Sequence, residues 1–140
     1  MVDLDVWVDA STKWGIALVV AGRQLQPGWK ADRRDIGWAE SAAIEMATLY
    51  LASCDFTHRV HSDNQGAIGQ YSKGRSRNSQ SNQCIRRSTI VGAFDVTPVY
   101  VPSADNLADA PSRGNSLYES TRLPHSFDIP PKLAAWLVEF

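Results

Sequence analysis

The sequence has few cysteines, no long apolar run and almost no net charge, and each absence excludes a class of protein. Its 2 cysteines among 140 residues, Cys54 and Cys84, form no CxxC pair, which excludes a disulfide scaffold and a cysteine zinc site. The longest apolar run, 16–21, is far shorter than the roughly 20 residues that a membrane-spanning helix needs. No charged-then-apolar leader precedes the first strand pattern. We expect free thiols, no membrane partner and an intracellular location, in the cytoplasm or nucleus.

What is present is typical of one globular domain, with 44% hydrophobic and 21% charged residues. The net charge of −1 conceals an uneven distribution. Five of the 14 basic residues and no acidic residue lie between positions 73 and 87, whereas the rest of the chain has 9 basic against 15 acidic residues. This basic run predicts contact with a polyanion. Its members are Lys73, Arg75, Arg77, Arg86 and Arg87.

Hydrophobic periodicity predicts the element order βββ-α-β-α-α-β-α, a mixed sheet with helices packed on it. The first three strands have short connections, which favours an antiparallel meander. A helix follows over 38–54, a strand over 58–62, helices over 64–71 and 81–93, and a last strand over 96–101. Ser103 is predicted to cap a short helix, and a small apolar helix is predicted over 132–140.

Four acidic residues occupy positions where an unpaired charge is hardest to explain. Asp9 ends the first predicted strand and Asp63 ends the fourth, while Asp109 follows the fifth. Glu40 falls inside the apolar stripe of the long predicted helix, where a carboxylate is costly unless it is paired or holds a metal. Strand ends of one sheet converge, and like charges brought together need cations to neutralise them. Oxygen-only clusters suit Mg²⁺ or Mn²⁺, and two such ions support phosphodiester cleavage.

Two other acids compete for these roles. Glu45 lies on the opposite side of the long helix, with Ser41 and Thr48, and is predicted to be solvated. Asp105 follows Ser103 at a predicted helix start, where a carboxylate favourably meets the helix dipole. We favour Asp109 over Asp105 as the fourth acid, and the choice stays open at the level of sequence.

Four runs stand in order along the chain: DAS at 9–11, WAESAA at 38–43, HSDNQ at 61–65 and VPSADNLADAPSR at 101–113. In their order and spacing they together resemble the ribonuclease H domain of retrotransposon reverse transcriptases, of the DIRS-like and Gypsy-like groups. The last run resembles an N-x-A-D-x-x-S-R ending of that family. The resemblance covers about residues 4–114. It implies an RNase H-like α/β fold with a five-stranded mixed sheet, three antiparallel strands followed by two parallel ones, and helices on both faces.

The resemblance also implies an activity. In the family, an Asp-Glu-Asp-Asp set binds two Mg²⁺ ions, for which Mn²⁺ substitutes, and hydrolyses the RNA strand of RNA–DNA hybrids, leaving 5′-phosphate and 3′-hydroxyl ends. The matching positions are Asp9, Glu40, Asp63 and Asp109. The resemblance implies contacts with the hybrid for Ser11 and Gln65, and the basic run predicts further contacts for Lys73, Arg75 and Arg77.

The same resemblance implies a domain division and a biological context, and the chain departs from the family in one loop. A catalytic domain is expected over 1–114, and 115–140 is expected to be a C-terminal tail that packs on it or links it to a polyprotein. The implied partner is the reverse transcriptase domain of that polyprotein, in the cytoplasm, the nucleus or a retroelement particle. Cellular members carry a His in the loop before the last Asp, whereas this loop reads Pro-Ser-Ala at 102–104, so slow turnover is expected.

Three alternatives belong to other classes. A polynucleotidyl transferase of the same fold needs a late Glu, but no Glu lies between Glu45 and Glu119. A proofreading exonuclease has Asp-x-Glu in its first strand, where this chain has DAS. The remaining alternative is a catalytically silent RNase H-fold module that binds nucleic acid or a polyprotein partner. Degenerate copies normally lose one or more of the acids, whereas this chain keeps all four, which favours the enzyme.

Overall fold

The strands near the N-terminus form the predicted antiparallel meander. A computed structural model describes residues 4–20, 23–30, 36–52, 58–91, 96–115 and 130–138. Strand β1 (Leu4–Ala10) runs antiparallel to β2 (Ile16–Val20), which pairs antiparallel with β3 (Arg23–Leu25). Gly15 is required at the start of β2, because a Cβ there would lie 2.2 Å from the carbonyl oxygen of Pro27.

The remaining elements follow in the predicted order, with ends that differ by a few residues. Helix α1 covers Ile36–Ala52, so the predicted helix end at 53–54, with Cys54, falls outside the described residues. The predicted apolar helix over 132–140 is only one turn long, since it starts at a proline and ends at Ala134. After α1 come β4 (His58–Ser62), α2 (Gln65–Lys73), α3 (Ser79–Val91), β5 (Val96–Tyr100), a 3₁₀ turn (Ser103–Asp105), α4 (Asp109–Ser112) and α5 (Pro131–Ala134).

The five strands form one mixed sheet in the order β3-β2-β1-β4-β5. Strand β1 is parallel to β4, and β4 is parallel to β5. This confirms the predicted sheet of three antiparallel strands followed by two parallel ones. Because β1 and β4 are parallel neighbours, the residues that follow them emerge side by side at one edge of the sheet.

Helices cover both faces of the sheet, as predicted. On one face, Val6, Val8 and Leu18 pack in the same buried cluster as Ile44 and Ala47 of α1. Each fully buried valine, leucine or isoleucine side chain contributes about 1.5–3 kcal/mol. The opposite face is covered in part by the region of α4, with a second cluster formed by Ala17, Val19, Ala108 and Trp7.

Helix α1 is buried on all sides between Trp38 and Leu49, which corrects the prediction of a solvated face. Ser41, Glu45 and Thr48 are all buried, because α3 packs on the side of α1 that faces away from the sheet. The hydroxyls of Ser41 and Thr48 donate to carbonyl oxygens one turn earlier in the helix. Glu45 accepts two hydrogen bonds from Arg87 of α3, at 2.6 and 2.8 Å. Amphipathic spacing alone does not reveal a second helix layer.

The last described segment packs on the same core. Leu133 and Leu137 are buried in the main cluster, and Leu137 forms a β-bridge with Trp29. Among the described residues, no helix combines the length and apolar character needed to cross a bilayer.

Candidate metal centre

Three aspartates converge at the edge where β1 and β4 end. Asp9 lies near the end of β1, Asp63 follows β4 directly, and Asp109 begins α4. One carboxylate oxygen from each lies within 4.8 Å of the other two. Asp9 is buried, whereas Asp63 and Asp109 are half-buried. The geometry places three oxygen donors around one space that opens to solvent on the side of Asp63 and Asp109.

Glu40 lies beside Asp9 and close to Asp63, and we call the three aspartates together with Glu40 the acidic group. It is 3% exposed on α1, and its Oε1 accepts a hydrogen bond from the backbone N–H of Ala10 at 3.2 Å. Its Oε2 is buried and accepts no hydrogen bond from any residue that the structure describes. The Glu40 carboxyl group reaches Asp9, to which it donates a hydrogen bond when it carries a proton. An unpartnered buried carboxylate oxygen beside a second carboxylate needs a proton or a cation.

The pKa values of Asp9 and Glu40 agree with this requirement for a proton or a cation. Burial raises the pKa of Asp9 to about 6, with a further contribution from the negative charge of Asp63. Burial also raises the pKa of Glu40 far above that of an ordinary carboxyl group, and the charges of Asp9 and Asp63 add to the shift. Without a cation, the pair Asp9 and Glu40 therefore retains a proton at neutral pH, and a bound cation would displace it.

The structure brings Asp109, and not Asp105, to the other acids. Asp105 is exposed in the 3₁₀ turn and does not belong to the group of converging oxygens. The Asp109 side chain is 37% exposed and forms a long ion pair with Arg113, 3.4 Å away and one helical turn later. This contact is weak because both groups are solvated, so Asp109 stays accessible to a ligand.

The donor set fits a hard divalent cation. The acidic group offers carboxylate oxygens, with no histidine or cysteine among the converging donors of the described residues. Oxygen-only donors suit Mg²⁺ or Mn²⁺ rather than zinc. The buried Oε2 of Glu40 is a further observation in favour of a cation, because no described residue donates to it and it is satisfied without a metal only when Glu40 carries a proton.

The two polar residues expected to contact nucleic acid differ in availability. Gln65 is exposed at the start of α2, directly after the cap residue Asn64. The hydroxyl of Ser11 donates to the carbonyl oxygen of Ser112 at 2.5 Å and accepts from two backbone N–H groups of its own turn. Contact between Ser11 and nucleic acid stays a prediction. For such a contact the Ser11 hydroxyl would have to break these hydrogen bonds.

The basic run divides into an inward and an outward part. Arg87 points inward to Glu45, which corrects the interpretation of the run as one basic patch. Lys73, Arg75 and Arg77 are exposed at the end of α2 and in the following loop, and no described carboxylate pairs with them. With Gln70, Ser76 and Asn78 they line an open groove of about 750 Å³.

Sequence reasoning did not single out Asn106 and Ser112, although both are buried beside the acids. The side-chain amide of Asn106 donates to the carbonyl oxygen of Val8 at 2.9 Å. The hydroxyl of Ser112 lies 3.2 Å from Oδ2 of Asp9. The N-x-A-D-x-x-S-R run contains both residues, but the sequence pattern alone indicates no physical role for its Asn and Ser.

Two solved structures resemble this arrangement of strands and helices. RNase H1 from the halophilic archaeon Halobacterium salinarum NRC-1 has a TM-score of 0.61 and 18% identity, over 78% of this chain and 93% of that chain. The N-terminal RNase H domain of rv2228c from Mycobacterium tuberculosis, solved as a fusion with maltose-binding protein, has a TM-score of 0.65 and 14% identity, over 81% and 98%. This chain has the RNase H fold. Neither a protein-family model nor a curated protein matches its sequence.

The predicted fold class is thereby confirmed, including its RNase H-like architecture. At 14–18% identity the likeness concerns the fold, and folds host unrelated functions. A functional conclusion must therefore come from the acidic group and its surroundings in this chain.

Proposed function

We propose that the chain is a ribonuclease H, a metal-dependent endonuclease that hydrolyses the RNA strand of RNA–DNA hybrids. The observation that carries the proposal is the buried, unpartnered Oε2 of Glu40 beside an aspartate trio on an RNase H fold. A structural role would leave Glu40 paired with a cationic side chain or several donors, as Glu45 is with Arg87. The metal ligands and catalytic residues would be Asp9, Glu40, Asp63 and Asp109.

The four acids differ in burial, and we propose a different role for the buried pair and for the half-buried pair. Divalent ions, expected to be two Mg²⁺ with Mn²⁺ as a substitute, would supply activation of a water and charge stabilisation at the leaving oxygen. Asp9 and Glu40 are fixed and buried, so they hold negative charge in place with little reorganisation. Asp63 and Asp109 face the open side and would approach the substrate phosphate. The expected products are 5′-phosphate and 3′-hydroxyl ends.

Nucleic-acid contact is proposed along α2. This helix begins at Gln65, next to Asp63, and ends at Lys73, followed by the groove with Arg75 and Arg77. Nine residues at 1.5 Å each make α2 about 13 Å long, so one nucleic acid can reach both ends. Exposed cations supply sequence-independent affinity for phosphates, while an RNA strand is recognised through its 2′-hydroxyl groups.

The biological context is proposed from the sequence resemblance alone. We propose that the activity serves reverse transcription of a retroelement, with a reverse transcriptase domain of the same polyprotein as partner. The division at residue 114, the tail over 115–140 and an intracellular location, in the cytoplasm, the nucleus or a retroelement particle, stay predictions of that context.

The proposal is tested by cleavage of a labelled RNA–DNA hybrid with Mg²⁺, Mn²⁺ or EDTA. Wild type is compared with D63N and with D105N. The two substitutions make the same change in charge, but Asp105 is an exposed acid outside the converging group. We expect metal-dependent cutting of the RNA strand by wild type and D105N, and none by D63N.

Two results would overturn the proposal. Equal cleavage by D63N and wild type would remove Asp63 from the site. No cleavage with either metal, together with salt-sensitive hybrid binding, would favour the catalytically silent module instead.

A further inference from the structure

Side-chain hydrogen bonds connect both ends of the turn that carries Asp109 to strand β1. At its start, Nδ2 of Asn106 donates to the carbonyl oxygen of Val8, and Oδ1 of Asn106 accepts from the N–H of Ala108 at 3.0 Å. Asn106 is 5% exposed, so both bonds form away from solvent. The Asn106 amide thus fixes the backbone just before Asp109 to the strand that carries Asp9.

At the other end, Ser112 connects the two acids themselves. It is 1% exposed, and its Oγ lies 2.8 Å from the carbonyl oxygen of Asp109 and 3.2 Å from Oδ2 of Asp9. Its own carbonyl oxygen accepts the hydroxyl proton of Ser11. Ser112 therefore touches Asp9, the backbone of Asp109 and the turn after β1 at once.

Local helix geometry accounts for only one of these contacts. A serine hydroxyl that bonds a carbonyl three or four residues earlier is a common local arrangement. The contact with Asp9 spans 103 positions of the chain and has no local origin. The Ser112 hydroxyl has one proton, which it donates either to the Asp109 carbonyl oxygen or to Asp9. A hydrogen bond to a carboxylate is stronger than one between neutral groups, so the bond to Asp9, when it forms, restricts the orientation of the Asp9 carboxyl group.

We propose that Ser112 is a positioning residue of the metal centre, which orients Asp9 and holds Asp109 at the distance needed for a shared cation. The inference rests on the proposed function, because it assumes that Asp9 and Asp109 bind metal. Residues that orient ligands, without binding the metal, typically change metal affinity by about 10–100-fold when removed. Ser112 shares Asp9 with other partners, so we expect the lower end of that range.

The test measures metal binding without nucleic acid. The unfolding temperature of the full chain is followed against Mn²⁺ concentration for wild type, S112A, S112T and S88A. Ser88 is the matched control, since it is fully buried on α3 and bonds the carbonyl oxygen of Cys84 and the hydroxyl of Tyr71. We expect S112A to raise the half-saturating Mn²⁺ concentration about tenfold. S112T keeps the hydroxyl and should restore the wild-type value within about threefold.

The outcomes separate this inference from the proposed function. If wild type shows no stabilisation by Mn²⁺, the metal centre itself is wrong. If wild type responds and S112A has the same half-saturation, or S88A shifts it as much as S112A does, only the role of Ser112 is wrong. Should S112A not fold, S112C serves in its place, because the thiol has a similar volume but is a weak donor.

Discussion

Two buried glutamates on α1 meet opposite surroundings. Glu40 is 3% exposed and Glu45 is 0% exposed, and four residues lie between them. Glu45 faces α3, where Arg87 donates two hydrogen bonds to its carboxylate. Glu40 faces the end of β1, where it meets one backbone N–H and the carboxyl group of Asp9.

The difference shows that burial of an acid does not by itself indicate function. The Arg87 guanidinium neutralises Glu45 and satisfies both of its oxygens, so the pair needs nothing from outside the protein. Glu40 has an unsatisfied oxygen and carboxylate neighbours, so its ionised form lacks a counter-charge among the described residues. An arrangement that is unfavourable without a ligand is the one that indicates a site.

The largest expected effect concerns activity. We expect E40Q to lower the rate of hybrid cleavage by about 1,000-fold, because loss of several kcal/mol of charge stabilisation corresponds to that factor. Glutamine keeps an acceptor for the N–H of Ala10, so the fold is retained. The rate is measured by single-turnover cleavage of a labelled hybrid at saturating Mg²⁺.

The matched substitution E45Q is the control for this prediction. Glu45 lies on the same helix but outside the acidic group, and glutamine still accepts one hydrogen bond from Arg87. We expect E45Q to change cleavage by less than about threefold, because it removes no charge from the acidic group and so leaves the stabilisation of the transition state nearly unchanged. Equal losses in E40Q and E45Q would mean that both glutamates have only a structural role.

The second prediction concerns stability. R87M leaves Glu45 buried without its counter-charge, and we expect the free energy of unfolding to fall by about 3 kcal/mol. The measurement is urea denaturation in the presence of EDTA. The half-saturating Mn²⁺ concentration should stay at the wild-type value, because Arg87 does not contact the acidic group.

A double substitution sharpens the comparison. In E45M/R87M both charges are replaced by apolar side chains of similar length, and we expect most of the lost stability to return. If R87M loses less than about 0.5 kcal/mol, the pair contributes no more than an ordinary surface ion pair, and Glu45 must be satisfied in another way.

Local patterns in the sequence predict the parts of the fold that depend on near neighbours. The alternation before Asp9 predicted β1, and helical periodicity placed Glu40 on a buried face. The order of the elements then predicted that strand ends would converge, which they do at Asp9 and Asp63. These inferences succeed because period and chain order determine which face and which sheet edge a residue occupies.

The same reasoning fails where two distant elements meet. Burial of Glu45 depends on where α3 packs, and the contact between Glu45 and Arg87 spans 42 positions. The contact of Ser112 with Asp9 likewise joins segments that are distant in the chain. Neither has a local signature, because a serine near a helix end and an arginine in a basic run each have a common surface role.

The smallest expected effect is a dependence of stability on pH that belongs to Glu40 and its neighbour Asp9. Both have raised pKa values in the metal-free protein, so the folded state holds protons that the unfolded chain has released. The free energy of unfolding therefore falls as the pH rises from about 4 through the pKa of Asp9 and beyond. Between pH 5 and pH 8 in EDTA we expect wild type to lose about 5 °C in unfolding temperature relative to E40Q.

Saturating Mg²⁺ should remove most of this difference, because a cation stabilises the ionised carboxylates and binds the folded state only. E45Q in EDTA is the control and should follow the wild-type pH profile, since it leaves Asp9 and Glu40 unchanged. Parallel profiles of wild type and E40Q from pH 5 to pH 8 would contradict the prediction. They would mean that Glu40 is satisfied in the metal-free protein, which would place it in the same structural class as Glu45.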